Sequence, residues 1–405
     1  MNDPRSALAT EIAASGWLEL LRRLVQTPSH TGLPRQEEAV AHVLADYLAQ
    51  HGIASDLLEV APGRPNLLAR VEGGSPGPRL VLCGHTDTVP LNADDPGAGF
   101  AAEIRDGRLY GRGACDMKGA LAAMAAALVA LRRSGALLRG EVVLAAVIDE
   151  ELESLGAEDL VRRGFQAAGA IVGEPTSNRL ALGHKGLEWL EIEFLGQAAH
   201  GGTPQAGINA IAAAARFVVA LETELGPRLA ARAHPLLGPP TINCGTIHGG
   251  DQPSTVAAAC RLQVDRRGVP GETYASMLAE LEAILAAVRR EMPGLRTSIR
   301  RTPGGMATLE HLPTVLAADH PLARAIAAAR AAIGGAGEPP TAFPAWTDAA
   351  LLANFAGIPC AILGPGDLSV AHSPREHVPL AEVADAALVY SLTAIELAKG
   401  AASPA

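Results

Sequence analysis

Four apolar runs in this chain stop abruptly at side chains that carry a carboxylate or an imidazole. Residues 79–83 (RLVLC) lead into Gly84-His85-Thr86-Asp87, and residues 141–148 (EVVLAAVI) into Asp149-Glu150-Glu151. Residues 168–172 lead into Gly173-Glu174-Pro175-Thr176, and residues 360–363 lead through Gly364-Pro365-Gly366 to Ala371-His372-Ser373. A fifth segment, 111–119 (GRGACDMKG), sets Asp116 in a glycine-flanked loop ahead of an Ala-rich stretch. A lone histidine beside a strand is ordinarily a hydrogen-bonded structural residue, and adjacent acids ordinarily form a solvated face. Here the acids end a long apolar run, and a carboxylate at the edge of a core is costly unless a cation compensates it. Imidazoles and carboxylates without thiolates suit Zn2+, with Co2+ or Mn2+ as substitutes.

Those residues need a framework that gathers them. The four runs are short and continuous, the pattern of strands buried on both faces. Between them lie helical patterns. One is Ala-rich, over residues 119–131. Another is expected from Pro34, with Gln36-Glu37-Glu38 in its first turn, Val40, Val43, Leu44, Tyr47 and Leu48 on one face, and Gly52 as its stop. Strands alternating with helices predict an α/β architecture, a mixed sheet covered on both sides. In open sheets of this kind ligands bind beyond the carboxyl ends of the strands, where the charged residues fall.

The middle third reads differently. Residues 188–195 alternate, with Leu190, Ile192 and Phe194 on one face and Glu191 and Glu193 on the other. A helix over about 209–225, strands near 241–248 and 256–265, a helix over about 272–292 and a strand near 295–300 follow. In order this is βαββαβ, the ferredoxin-like arrangement. After Pro303 the chain returns to Ala-rich helices. The expected organisation is a catalytic domain in two parts, 1–184 and 302–405, with the ferredoxin-like domain 185–301 inserted between them.

Composition narrows the function classes. Of 405 residues, 48% are hydrophobic and 19% charged, enough apolar material for a packed core. Lys plus Arg number 33 against 43 Asp plus Glu, a formal charge of −10, which argues against nucleic acid as a partner. Apolar stretches such as 120–131 are too short to span a bilayer, so no membrane partner is expected. Five scattered cysteines without CxxC spacing indicate neither a disulfide framework nor a thiolate zinc site. Cys115, beside Asp116, reads as a small packing residue. The first residues carry acids early and read as an amphipathic helix, not a signal peptide, so a cytoplasmic setting is expected. Gly111, Gly113 and Gly119 do not make GxGxxG, which excludes a dinucleotide fingerprint.

The stretches GHTDTVP (84–90), LYGRGACDMKG (109–119), DEE (149–151), GEPT (173–176), AAHGGTPQAGINAI (198–211) and GPGDLSVAH (364–372) resemble the M20 metallopeptidases. Within that family they are most similar to the acetylornithine deacetylase and succinyl-diaminopimelate desuccinylase branch, over roughly residues 20–397. The resemblance implies a zinc-peptidase fold with an inserted lid and two zinc ions per subunit. His85 and Glu174 would hold one ion, Glu151 and His372 the other, with Asp116 bridging and a cis peptide after it. Asp87 would orient the His85 imidazole. Glu150 would be the general base for a water held by the zinc pair, then the acid that protonates the leaving amine. His200 would reach the active site of the partner subunit and steady an oxyanion. Arg267 would grip a substrate carboxylate, with Ser254 and Gly366 as further substrate-binding residues.

One segment departs from the family pattern. In the run from Gly249 to Ala257, Ser254 stands where a substrate-binding Asn is typical, and Ala257 stands for a Pro. A hydroxyl cannot reproduce the two-sided hydrogen bonding of an amide. That points away from ornithine and diaminopimelate substrates, towards another small N-acyl amino acid or dipeptide-like amide. The expected activity is metal-dependent hydrolysis of an N-acyl amino acid. The alternatives are a carboxypeptidase or dipeptidase of the same family and a catalytically silent binding protein; Glu150 beside all five ligands argues against the last. An inserted βαββαβ domain also leaves a sheet edge unpaired, which predicts a homodimer built edge to edge through that domain.

Overall fold

The computed structural model describes residues 4–92, 99–302, 309–335 and 337–400. Pro303 and the outermost residues of the expected end segments, 1–3 and 401–405, lie outside them. The chain divides into two units: Met1–Gly183, Val315–Phe343 and Thr347–Ala405 form the first, His184–Thr314 and Pro344–Trp346 the second. The second unit therefore runs past residue 301 to Thr314.

In the first unit the apolar runs lie side by side in a nine-stranded mixed sheet. Its order is Ser55–Ala61, Arg64–Glu72, Glu141–Val147, Arg79–His85, Gly169–Val172, Cys360–Ile362, Ala181–His184 and Thr314–Val315, with Thr341–Phe343 paired to Ala181–His184. The four strands from Glu141–Val147 to Cys360–Ile362 are mutually parallel. All their residues are buried but the two that begin Arg79–His85 and Glu141–Val147. Parallel pairing delivers every carboxyl end to one rim, and that alone gathers the acids and histidines that terminate these runs.

Helix Gly119–Ser134 packs against the sheet with Gly119 to Leu131 wholly buried. The stretch Ala114–Ser134 is long and apolar enough to cross a membrane, but it is a core element here. Helices Leu155–Arg162 and Ala349–Ala356 pack on each other and on sheet strands as a separate layer. The helix expected from Pro34 begins instead at Glu38, and Arg35 and Gln36 have φ of 58° and 25°. The reason is long-range: the Glu37 carboxylate is buried and takes Nε and Nη2 of Arg64 at 2.8 and 2.6 Å, instead of facing water in a first helical turn. The hairpin Ser55–Ala61 and Arg64–Glu72, at one edge of the sheet, has no counterpart in the sequence reading.

The second unit holds a four-stranded antiparallel sheet ordered Thr241–Gly249, Ala259–Gly268, Gly186–Leu195, Arg296–Arg301. This is the split-βαβ order. Helix Ala210–Ala220 starts on an Asn209 cap, and Tyr274–Glu291 on a Thr273–Ser276 capping box. Leu190, Ile192, Phe194, Phe217, Leu262 and Leu285 share its core. The outer strand Thr241–Gly249 is largely exposed.

Candidate metal centre

Seven of the residues singled out in the sequence meet at the rim of the first unit's sheet. His85 closes its strand with its ring buried. Nδ1 lies 2.9 Å from the Asp87 carbonyl oxygen, to which it donates, and Nε2 faces Asp116 Oδ1 at 3.0 Å and Glu174 Oε1 at 4.0 Å. A histidine whose Nδ1–H is engaged by a carbonyl presents Nε2 as a ligand. On the other side, His372 Nε2 lies 3.3 Å from Asp116 Oδ2 and 3.1 Å from Glu151 Oε1. Two candidate ligand groups result, His85–Asp116–Glu174 and Asp116–Glu151–His372, each with donor atoms within 4.8 Å of one another. Asp116 belongs to both, one oxygen to each.

Local structure explains how Asp116 gets there. Residues Ala114–Lys118 form a wide turn before the core helix, and Asp116 and Met117 depart from helical angles at φ −121°, ψ 94° and φ −132°, ψ 38°. The peptide between them is cis. Met117 runs back under the strand ends, where its Sδ accepts the His85 N–H at 3.3 Å. A Cβ on Gly84 would come within 2.7 Å of the Met117 methyl and one on Gly173 within 2.8 Å, so both strands reach the site only because glycine leaves that space.

The Asp149-Glu150-Glu151 turn is braced from three sides. Asp149, at φ 70°, offers its carbonyl to the N–H groups of Glu153 and Ser154 and its carboxylate to Arg64 at 2.6 Å. Asn66 accepts the Ile148 N–H at 3.0 Å and donates to the Gly156 carbonyl at 2.9 Å. Asp87 receives Glu150 N–H on one carboxylate oxygen and Glu151 N–H on the other. Asp87 thus touches His85 mainly through its carbonyl, its carboxylate standing 3.5 Å from Nδ1. Arg64 and Asn66 escaped the sequence reading, although an Asn at the head of the apolar run NLLA was a usable signal.

The electrostatics favour positive charge at this rim. Burial and neighbouring carboxylates push Glu150 and Glu174 well above the usual range and raise Glu151. Asp348, buried behind the site, is pushed up to about 7, chiefly by burial. The two imidazoles answer in part. His372 is raised to about 10 by the hydrogen bonds it donates to Asp116 and Glu151, and His85 is raised by Asp116 and Asp87 against the pull of burial. Glu174 Oε1 is buried with no hydrogen-bond partner among the described residues. An orphaned carboxylate oxygen within a nitrogen–oxygen donor set fits divalent cations. Glu150 is in neither ligand group.

Gly366 lies nearby with φ 93°, donating its N–H to Glu382 Oε2 at 2.8 Å and accepting the Ser177 N–H at 2.7 Å. The other expected residues belong to the second unit. His200 is exposed in a loop bridged to Thr255, its Nδ1 accepting the Gly202 N–H at 3.0 Å, and the exposed Ser254 takes the Gly201 N–H on its carbonyl. Arg267 is gripped by Asp265, which takes Nε at 2.7 Å and Nη2 at 2.9 Å. Its neighbour Arg266 is fully buried and paired with Glu272 and Glu280.

The sequence profile of Peptidase family M20/M25/M40 matches residues 81–396. An acetylornithine deacetylase of Proteus mirabilis (strain HI4320) is 33% identical over 383 residues, covering 90% of this chain and 92% of its own. Among solved structures, the aminopeptidase PepT from Bacillus cereus ATCC 10987 superposes with a TM-score of 0.77 at 20% identity, over 94% of this chain and 98% of that one. The YXEP protein of Bacillus subtilis, described as a dinuclear metal-binding peptidase, does so with a TM-score of 0.71 at 16% identity, over 97% and 99%.

Proposed function

The chain belongs to peptidase family M20/M25/M40 and is a metal-dependent amide hydrolase; from that premise we propose that it deacylates a small N-acyl amino acid. The observation that supports this best is the position of Asp116, one oxygen in each ligand group, with Glu150 beside both groups and committed to neither. We assign His85, Asp116 and Glu174 to one divalent ion and Asp116, Glu151 and His372 to the second, zinc in each case, with Co2+ or Mn2+ as substitutes. When bound, such a pair acidifies a water and polarises the amide carbonyl.

The rest of the chemistry falls to the chain's own side chains. Glu150 removes a proton from water as the water oxygen bonds to the amide carbon, the carbon–nitrogen bond then breaks to leave a carboxylic acid, and Glu150 returns that proton to the departing amine nitrogen. Asp87 fixes Glu150 through the backbone, and its carbonyl fixes the His85 tautomer. Asp265 holds Nε and Nη2 of Arg267, and we assign the remaining Nη1 to the carboxylate of the substrate. His200 is assigned to the developing oxyanion in the partner subunit, which makes the second unit a lid and a dimerisation domain.

Support for dimerisation comes from the second unit alone. An apolar groove of about 760 Å³ runs beside the exposed strand Thr241–Gly249, lined by Val218, Val219, Leu229, Pro240 and Ile247. An unpaired edge beside apolar surface suits a second copy of the same edge.

The experiment is a hydrolysis screen of N-acetyl, N-succinyl and N-formyl amino acids against dipeptides, with Zn2+ or Co2+ supplied. Turnover of acyl amino acids with a free carboxylate is expected. A preference for dipeptides would make the protein a peptidase, and inertness of the metal-loaded protein towards every class would make it a binding protein.

A further inference from the structure

The loop that carries Asp116 is held by a carboxylate outside both ligand groups. Glu376 Oε1 accepts the backbone N–H of Cys115 at 3.1 Å and of Asp116 at 3.2 Å. Its Oε2 takes Nη1 of Arg112 at 2.5 Å, and each of the two side chains is 2% exposed. The main chain joins in: the Glu376 carbonyl accepts the Gly111 N–H at 3.1 Å, and the strand that follows, His377–Pro379, pairs with Arg108–Tyr110. Glu376 therefore ties the segment that carries His372 to the segment that carries Asp116. In a regular helix the N–H groups of Cys115 and Asp116 would point at carbonyls of the preceding turn. Here a buried, charge-paired carboxylate takes both, and such hydrogen bonds are short-ranged and directional.

We propose that Glu376, held in turn by Arg112, is a positioning residue that sets where the Asp116 carboxylate stands between the two ligand groups, and through that the spacing of the two ions. This rests on reading the five side chains as the ion-binding set. Removing the Glu376 carboxylate frees two backbone N–H groups directly under Asp116 and leaves a buried guanidinium without its counter-charge. The Arg112→Met/Glu376→Gln double variant removes both charges together and keeps an acceptor oxygen for the two N–H groups.

The test uses the full-length protein, stripped of metal and titrated with Zn2+ by calorimetry and with Co2+ by visible absorption. Glu376→Ala is expected to weaken ion binding by about 10–100-fold and to shift the Co2+ absorption bands, with far-ultraviolet circular dichroism unchanged. The double variant is expected to recover most of that loss. Should the alanine variant fail to fold, Glu376→Gln and the double variant carry the same readouts. Folded variants with wild-type ion affinity and Co2+ spectra would overturn the inference, however far their melting temperatures fall. A set of variants that all unfold would make the pair structural and overturn it too. Wild-type protein that takes up no ion would instead bring down the ion-binding reading itself.

Discussion

The carboxylate of Asp87 accepts the backbone N–H of Glu151 at 3.0 Å. One side chain thereby links two strand ends, because Asp87 follows His85 and Glu151 stands in the turn that ends the neighbouring strand. Its other oxygen holds the Glu150 N–H at 3.2 Å, so Glu150 and Glu151 are aimed by the same group.

Replacing Asp87 with Asn keeps the shape but leaves a single acceptor oxygen for two N–H groups. The expected outcome is a loss of about 10–100-fold in turnover, with weaker metal retention during dialysis. Elemental analysis and kcat on one preparation check it, and full activity at unchanged metal content would remove Asp87 from the machinery.

Glu150→Gln and Glu151→Gln should separate cleanly. The first is expected to keep its metal and lose about 10²–10⁴-fold in kcat. The second, like His85→Ala or His372→Ala, is expected to lose bound ion. Metal loss in Glu150→Gln with full occupancy in Glu151→Gln would reverse the two roles.

His311 gives the protein an acid-sensitive stability. Its ring is 5% exposed and stacked on Trp346 at 4.0 Å, and burial, helped by Arg301 and His184, pulls its pKa down to about 3. Between pH 6.5 and 3 the unfolded chain binds a proton that the folded chain refuses, so stability falls as pH falls through that window. The slope is about 1.4 kcal/mol per pH unit, or roughly 2 kcal/mol by pH 5. His311→Phe keeps the stack and removes the titration. Urea unfolding at pH 7, 6 and 5 should show the gap between wild type and variant changing by that amount in the variant's favour, and parallel curves would refute it.

The proposed composite active site is testable by mixing. Homodimers of His200→Ala and of Glu150→Gln are each expected to be inactive. Heterodimers formed from them should regain activity, because one site then combines an intact Glu150 with an intact His200 of the partner subunit. No rescue despite proven subunit exchange, or an active monomer on sedimentation, would exclude this arrangement.

His85, Glu151, Glu174 and His372 are legible in the sequence because each follows the stop of a continuous apolar run, and parallel strands bring such stops to one rim; Asp116 shows instead as an acid in a glycine-flanked loop. Longer-range relationships leave no such mark. Pro34, Gln36 and Glu38 carry every local signal for a helix start, and the departure comes from Arg64, which draws Glu37 into the interior. The strand Ser55–Ala61 carries Asp56 and Glu59 on a mostly unburied edge, so its apolar pattern is broken. Arg266 and Arg267 are neighbours on one strand and must face opposite ways. The parity of Leu262 and Val264, both buried, already marks Arg266 as the inward one. Glu376 lies in a polar stretch, and only the folded chain reveals that it meets Cys115 and Asp116.

The strand Cys360–Ile362 is inserted between Gly169–Val172 and Ala181–His184, two strands made far earlier in the chain. A ribosome will therefore have finished His85, Asp116 and Glu174, one complete candidate ion group, long before it reaches His372, which completes the other. All of the second unit, Pro344–Trp346 included, is synthesised in between. Until that segment emerges, Gly169–Val172 and Ala181–His184 lack the strand that stands between them. Non-local closure of this kind is slow and exposes apolar edges while it waits. On the proposed assignment, the second ion group can be completed only once the chain beyond Cys360–Ile362 has been made.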